Sequence, residues 1–318
     1  MVRINSFIEE GSLAYVFPGQ GAQYVGMGQQ LYNGSHGAKS VLDKIDKALN
    51  RPLTKLMFDG PEDELRQTVN AQPAIMAVSL ACIIAMTEQL ESDALPPPKL
   101  VAGHSLGEYT ALSVSNVLTL EETAWLVQER GRLMQDACAE NDGHMAAILG
   151  LDEITLTEIT METGTYVANI NTSTQIVISG EKQAIANALE MAVTQGARKA
   201  IPLRVSGAFH SQLMKSAQDG LAEAILGLNF KNPTIPIMAN CTGKPLTTAK
   251  EIKEELISQM CSCVQWNQSI QFMIQAGITS FAEIGPGITL TSMIKRINKS
   301  ANVFNISDID SMSSISKN

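Results

Sequence analysis

The sequence predicts an α/β fold, in which a parallel sheet is covered by helices and interrupted by one small inserted unit. Three observations predict it. Short strand-like runs at 13–17, 99–102, 235–239 and 280–284 alternate with longer stretches of helical periodicity. A Gly-x-Ser-x-Gly pentapeptide, Gly103-His104-Ser105-Leu106-Gly107, stands where one of those runs meets a helix. Between about 143 and 206 the alternation gives way to a different pattern, and it resumes afterwards.

Taken in order, the run 13–17 ends in the loop Pro18-Gly19-Gln20-Gly21-Ala22-Gln23. Helical periodicity then holds to about residue 90, and the linker Leu95-Pro96-Pro97-Pro98 ends it, since proline cannot continue a helix. Within that stretch the nearly apolar segment 74–86 is too short to span a bilayer and is expected to be a buried helix. Strand 99–102 and the pentapeptide follow, and Glu108-Tyr109-Thr110-Ala111-Leu112 reads as the helix after it. Thr119-Leu120-Glu121-Glu122 is a capping box opening a helix to about 137. The next segment reads as strand 145–149, helix 152–162, strands 166–170 and 175–179, helix 182–194 and strand 198–205. The order β-α-β-β-α-β is the split βαβ pattern of a small ferredoxin-like unit. The expected division is therefore a large α/β domain, 1–142 and 207–318, with a ferredoxin-like subdomain at 143–206. Strand 235–239, helices 249–260 and 266–276 and strand 280–284 complete the large domain, and the serine-rich tail after Asn305 is expected to fray.

At 318 residues the chain can bury a sizeable core, and 45% hydrophobic with 17% charged residues describe a globular protein. A net charge of −9 argues against general affinity for nucleic acid or an anionic membrane, because both need a basic field. The acidic N-terminus has no apolar core of a signal peptide, which points to the cytoplasm. Five cysteines, at 82, 138, 241, 261 and 263, lack the spacing of a zinc site, so free thiols and no metal are expected.

The pentapeptide admits two readings. Strand, glycine-flanked serine and helix are the layout of a nucleophile elbow, yet Ser105 and Glu108 also form the S-x-x-E of a helix cap. A nucleophile needs a base, and the chain offers His36, His104, His144 and His210. His36 lies in a polar turn, His104 should point away from Ser105, and His144 has no evident partner. His210, in Gly207-Ala208-Phe209-His210-Ser211, falls where the inserted unit returns to the main sheet, a place for loop chemistry. No Asp or Glu between Ser105 and His210 stands out in a strand-end loop, which weakens a hydrolase triad.

Eight motifs in order resemble malonyl-CoA:acyl-carrier-protein transacylases and the acyltransferase domains of fatty-acid and polyketide synthases. They are Phe17-Pro18-Gly19-Gln20-Gly21-Ala22-Gln23, Gln72-Pro73-Ala74, Gly103 to Tyr109, Arg130-Gly131 with Met134-Gln135, Gly207 to Ser211, Asn240-Cys241-Thr242-Gly243, Val264-Gln265-Trp266, and Glu283-Ile284-Gly285-Pro286-Gly287. The resemblance spans about 13–300 and implies an α/β-hydrolase-like large domain carrying the ferredoxin-like insertion.

It also implies roles. Ser105 attacks the malonyl thioester and His210 takes its proton, a dyad without a third carboxylate. Gln265, or a nearby backbone carbonyl, orients the imidazole. Backbone N–H groups of Gln20 and Leu106 hold the oxyanion. Arg130 grips the malonate carboxylate with two parallel hydrogen bonds, Phe209 matches acyltransferases that take malonyl over methylmalonyl, and Gln72 lines the same pocket. The Asn240 and Glu283 motifs are expected to shape loops near the site.

The activity so implied is ping-pong transfer from malonyl-CoA to the phosphopantetheine thiol of acyl carrier protein, with no cofactor, by a cytoplasmic monomer. The alternatives are a trans-acting polyketide acyltransferase, an acyl hydrolase, and a non-catalytic carrier-protein docking subunit; Arg130 and Phe209 speak against the hydrolase. An acidic carrier would dock on the basic clusters Arg198, Lys199 and Arg204, or Lys295, Arg296 and Lys299.

Overall fold

The protein is described from a computed structural model covering residues 12–90, 96–205 and 207–312. The N-terminal segment read for a signal peptide, Leu95 of the proline linker, the boundary residue Ser206 and the final residues 313–318 lie outside the described residues.

Strand β1 (Leu13–Phe17) is buried at every position, as a central strand covered on both faces must be. Five helices follow: α1 (Gln29–Gly34), α2 (His36–Leu49), α3 (Leu53–Asp59), α4 (Glu62–Arg66) and α5 (Thr68–Leu90). Helix α5 is apolar all round, and its window 68–88 is long and apolar enough to cross a membrane. That window is 83% buried, packed between α2 and the later helix α7 (Leu120–Glu140), so it is the core helix of the domain. Pro73 sits inside it and cannot donate to the carbonyl of Val69 four residues back. Arg51 Nη2 takes that carbonyl instead, at 2.9 Å.

Strand β2 (Leu100–Gly103) leads through Ser105 into helix α6 (Leu106–Val114), and α7 begins on the capping box at Thr119, as expected from the sequence. The inserted segment holds β3 (Gly143–Leu149), α8 (Glu153–Thr163), β4 (Tyr166–Thr172), β5 (Gln175–Glu181), α9 (Lys182–Thr194) and β6 (Lys199–Pro202). Its four strands pair antiparallel in the order β4-β5-β3-β6 around their own apolar cluster of Ile148, Leu156, Ile176, Ile178 and Ile185. This sheet is stitched to the large unit. Ile170 N–H donates to the Val264 carbonyl and Val264 N–H to the Ala168 carbonyl, both at 2.9 Å.

After the insertion come α10 (Lys215–Leu226), β7 (Ile237–Met238), β8 (Pro245–Leu246), α11 (Ala249–Gln259), α12 (Trp266–Gln275), β9 (Ser280–Ile284), α13 (Thr289–Ile297) and β10 (Asn302–Ile306). The main sheet runs β10-β9-β1-β2-β7-β8, parallel except at its edge, where β8 turns back antiparallel on β7. The fold is thus α/β with a mixed sheet, which corrects the all-parallel expectation. Alternate residues of β1 serve opposite layers: Leu13, Tyr15 and Phe17 face the α5 side, while Ala14 and Val16 pack with Trp266, Ile270 and Leu290.

Four elements escaped the sequence reading, among them the edge strand β8. Helices α10 and α13 were unassigned, and the tail expected to fray after Asn305 includes the end of β10, which pairs with β9 and buries Ile306 fully. Its residues Asn302, Val303, Phe304 and Asn305 do not alternate and carry too few apolar side chains to announce a strand, and only the waiting edge of β9 makes one.

The junction that matters most is between β2 and α6. A Cβ on Gly103 would overlap the Gly107 carbonyl, and one on Gly107 would overlap the Phe17 carbonyl of β1. Only hydrogen at both positions lets α6 start this close to the sheet. Gly107→Ala is therefore expected to destabilise the fold by about 1–3 kcal/mol, read as a lowered urea midpoint at unchanged slope.

Candidate active site

Ser105 occupies the turn between β2 and α6 with φ 52° and ψ −104°, a left-handed conformation rare for a side-chain-bearing residue. The side chain of Asn240, in the loop after β7, fixes this turn from both sides. Its Oδ1 accepts the Ser105 N–H at 2.7 Å, and its Nδ2 donates to the Gly103 carbonyl at 2.8 Å. The helix-cap reading is corrected here. Ser105 makes no side-chain cap bond, and Glu108 instead accepts from Asn240 N–H and Gln259 Nε2.

His210 also has a positive φ, 59°, and the loop carrying it is closed by Ser211 Oγ donating to the Ala208 carbonyl at 2.6 Å. Its Nε2 lies 2.9 Å from Ser105 Oγ. Its Nδ1 lies 2.9 Å from the main-chain carbonyl of Gln259, the last residue of α11. A carbonyl only accepts, so Nδ1 carries the proton and Nε2 presents a lone pair to the serine hydroxyl. Of the two groups expected to orient the ring, a nearby backbone carbonyl meets it and Gln265 does not. Gln265 heads α12, with its main chain bonded to Asn240 and Ser269, while the end of α11 delivers Gln259 against the ring. Burial first, then the Arg130 charge, lowers the His210 pKa from 6.5 to about 3.

Arg130, on α7, is 1% exposed. Its Nη1 donates to Gln72 Oε1 at 2.7 Å, and its Nη2 to Gln259 Oε1 at 3.0 Å and to Ser105 Oγ at 3.1 Å. The guanidinium also lies 4.9 Å over the ring of Tyr109. All these partners are neutral, so among the described residues a full positive charge is buried beside the serine without a counter-ion in contact. Such a charge costs several kcal/mol to desolvate. Gln72, fully buried, is held on its other side by Met134 Sδ at 3.2 Å. Phe209 is buried directly before the base.

Leu106 is the first residue of α6, where helix N–H groups lack intrahelical acceptors. Gln20 lies in the loop after β1, its side chain tied to Thr68 Oγ1 at 3.2 Å. Among the described residues no acceptor takes either main-chain N–H. A cleft of about 230 Å³ runs from this loop past His104 to Asn169, Asn171 and Met293. His104 itself turns away from the serine, bonded to Asn171 Oδ1 at 2.8 Å and packed edge-on to Trp266. His36 is exposed at the start of α2, and His144 meets Asp142 at the surface. Among the described residues no cluster of three potential metal-ligating side chains occurs.

The site depends on two residues whose contribution the sequence did not disclose. Gln259 touches Ser105, Arg130, Glu108 and His210, yet it reads locally as the end of an amphipathic helix. Asn240 was assigned to loop shaping, and its bonds to both sides of the elbow give that shaping its object.

Comparison with known proteins shows the family to which the chain belongs. The acyl transferase domain family model matches residues 14–318. The chain is 40% identical over 301 residues to the malonyl CoA-acyl carrier protein transacylase of Bacillus subtilis, covering 93% of each chain. The acyl-carrier-protein-S-malonyltransferase of Bartonella henselae superposes with a TM-score of 0.90 at 38% identity, over 95% of this chain and 98% of that one. A malonyl-transacylase solved in complex with its type II PKS acyl-carrier protein superposes at 0.91 with 34% identity, over 97% and 99%.

The His210 environment sets a pH dependence. A base whose pKa falls from 6.5 unfolded to about 3 folded binds its proton more readily in the unfolded chain. Its contribution to stability is thus full above pH 6.5 and is lost as pH drops toward about 3. Acylation of Ser105 should likewise keep its rate down to about pH 5 instead of halving near 6.5, as a stopped acyl-labelling profile would reveal.

Proposed function

The chain belongs to the acyl transferase family of malonyl-CoA:acyl-carrier-protein transacylases, and we propose that Ser105, His210 and Arg130 carry out its reaction by a ping-pong route. The enzyme moves a malonyl group from malonyl-CoA to acyl carrier protein. The observation that carries our assignment of residues is a buried guanidinium without a counter-ion, 3.1 Å from a serine hydroxyl that is itself 2.9 Å from a neutral imidazole.

Malonyl-CoA brings the missing anion. Its free carboxylate adds a charge-assisted pair to Arg130 in place of the Ser105 hydroxyl, and acetyl has nothing to offer there. Gln72 holds the other side of the guanidinium, and Phe209 narrows the space beside the base. Ser105 Oγ then attacks the thioester carbonyl while its proton passes to His210 Nε2. The tetrahedral oxyanion falls to the N–H groups of Leu106 and Gln20, each worth about 3 kcal/mol at the transition state. Collapse breaks the C–S bond, and His210 returns the proton to the leaving CoA thiolate. The phosphopantetheine thiol of the carrier repeats these steps in reverse, giving its proton to His210 and freeing Ser105. No metal or organic cofactor has a part. A main-chain carbonyl at Nδ1 leaves the imidazole less basic than a carboxylate would, which an activated thioester tolerates.

We read 143–206 as a ferredoxin-like subdomain inserted in an α/β-hydrolase-like domain comprising 1–142 and 207–318. The β-α-β-β-α-β order and antiparallel pairing β4-β5-β3-β6 support this reading. The cleft between the Gln20 loop and Asn169 and Asn171 offers the pantetheine arm a route along that seam. We assign the enzyme to the cytoplasm as a monomer, supplying malonyl units for fatty-acid synthesis; the buried position of its one long apolar helix among the described residues supports a life outside the membrane.

Intact-protein mass after mixing with malonyl-CoA tests the assignment. One malonyl adduct is expected on the wild type and none on Ser105→Ala; an adduct that persists in the variant removes Ser105 from the mechanism. Arg130→Lys should lower malonyl transfer by about 10²–10³-fold, because an ammonium cannot form the paired bonds and leaves the pocket's acceptors unmatched.

Carrier docking is assigned to basic surface. In the second cluster Lys295 is spent on the Ala301 carbonyl at 2.7 Å, and Arg296 meets the neutral Gln175 at 2.6 Å, with no acidic partner among the described residues. Charge reversal at Arg296 and Lys299, or at Arg198 and Lys199, is expected to raise KM for carrier protein and leave KM for malonyl-CoA unchanged. Steady-state kinetics with each substrate varied in turn would read this, and unchanged carrier KM in both variants would refute it.

A further inference from the structure

Glu108 has no part in the transfer described above, yet its buried carboxyl touches the residue on which both halves of the site rest. It lies in the first turn of α6, three residues after the nucleophile, and is 1% exposed. Its Oε1 accepts the Asn240 N–H at 3.3 Å, and its Oε2 accepts from Gln259 Nε2. Glu255, one turn before Gln259 on α11, is buried as well and takes the Cys241 N–H at 2.7 Å. Two carboxyls from two helices therefore grip consecutive residues of the loop that supports the elbow.

The chemistry of a primary amide makes the Glu108 contact more than packing. Gln259 has one accepting end and one donating end. Arg130 can only donate, so it requires Oε1, which it meets at 3.0 Å. On the opposite side Glu108 and the Ser105 carbonyl present oxygen, and Nε2 serves both, the latter at 3.1 Å. The reversed amide would set N–H against a guanidinium and carbonyl against two oxygens. The same residue's main-chain carbonyl anchors His210 Nδ1 at 2.9 Å. Whatever holds the Gln259 side chain therefore also fixes where Arg130 points and where the base is anchored.

We propose that Glu108 is a positioning residue for malonyl transfer, locking the Gln259 amide so that the malonate-binding guanidinium and the His210 base stay in register on Ser105. The proposal rests on the assignment of Arg130 and His210 made above. Burial and the nearby Glu255 push the Glu108 pKa well above the ordinary carboxyl range, while its bonds from Gln259 and Asn240 and the Arg130 charge oppose that shift. The bond to Gln259 is thus part of what makes a buried carboxyl tolerable at this place.

The test is Glu108→Gln, which keeps the shape but replaces one accepting oxygen with a donor, so that Asn240 and Gln259 cannot both be satisfied. Rates of acyl-serine formation are measured with malonyl-CoA and with acetyl-CoA, alongside melting temperature. A displaced base slows both donors, whereas a displaced guanidinium slows malonyl alone. The malonyl rate is expected to fall about 10²-fold and the acetyl rate about tenfold, which lowers the malonyl-over-acetyl ratio about tenfold. In a Gln259→Leu background, which retains the main-chain carbonyl but has no amide, Glu108→Gln should change that ratio little further. A folded Glu108→Gln protein with an unchanged ratio overturns the proposal, as does a ratio loss that multiplies fully with that of Gln259→Leu. Should Glu108→Gln fail to fold, Gln259→Leu decides alone: a ratio equal to wild type overturns the lock. A wild type that gains no malonyl on Ser105 would instead overturn the assignment of function beneath it.

Discussion

Everything at this site hangs on how closely one helix approaches one sheet. Gly107 brings the first turn of α6 against the Phe17 carbonyl of β1, and Gly103 accepts the same turn folding back over it. The residue between them is forced into a left-handed conformation, at a cost of about 1–3 kcal/mol that the surrounding bonds offset. Asn240 supplies two of those bonds, one to each side of the turn. The strain raises the hydroxyl out of the sheet and leaves the Leu106 N–H beside it without an acceptor among the described residues, so the proposed nucleophile and oxyanion donor come from a single piece of backbone geometry.

Around that turn the protein arranges charge in a dry volume. Arg130 is buried against neutral amides, His210 is kept neutral by burial and by that guanidinium, and Glu108 sits one layer behind. The resting site therefore carries a positive charge facing the serine and no anion in contact with it. On the assignment proposed above, a dicarboxylic acyl group completes the electrostatics, and a monocarboxylic one leaves them incomplete. Selectivity and catalysis share their supports, because Gln259 is bonded to the guanidinium through its side chain and to the imidazole through its main chain.

Much of this was legible in the sequence because it is local. Strand, glycine-flanked serine and helix are contiguous, and β1, β9 and the β-α-β-β-α-β segment announce themselves by apolar periodicity. The motifs around Gln20, Gln72, Arg130 and His210 marked the residues that the fold brings near Ser105. What misled was also local: Ser105 and Glu108 have the spacing of a helix cap, but the elbow's dihedral angles turn the serine side chain away from that role. The weakly apolar β10 gave too little periodic signal, whereas α10 and α13 carry amphipathic patterns, with Leu290, Met293 and Ile294 buried on α13, that the sequence reading passed over.

The sequence by itself determined the α/β class and the strand-serine-helix turn, because turn chemistry and hydrophobic period act over a few residues; the proposed roles of Ser105 and its partners came from the resemblance of eight motifs to a family. Only the tertiary structure decided which group holds the base, how Arg130 stands without a counter-ion, and why Asn240 and Glu108 matter. Those are contacts between α6, α7, α11 and the loop after β7, separated by 25 to 154 residues along the chain. Hydrogen-bond direction and burial exist only once those elements are packed, so no local pattern records that Gln259, and not Gln265, faces the imidazole.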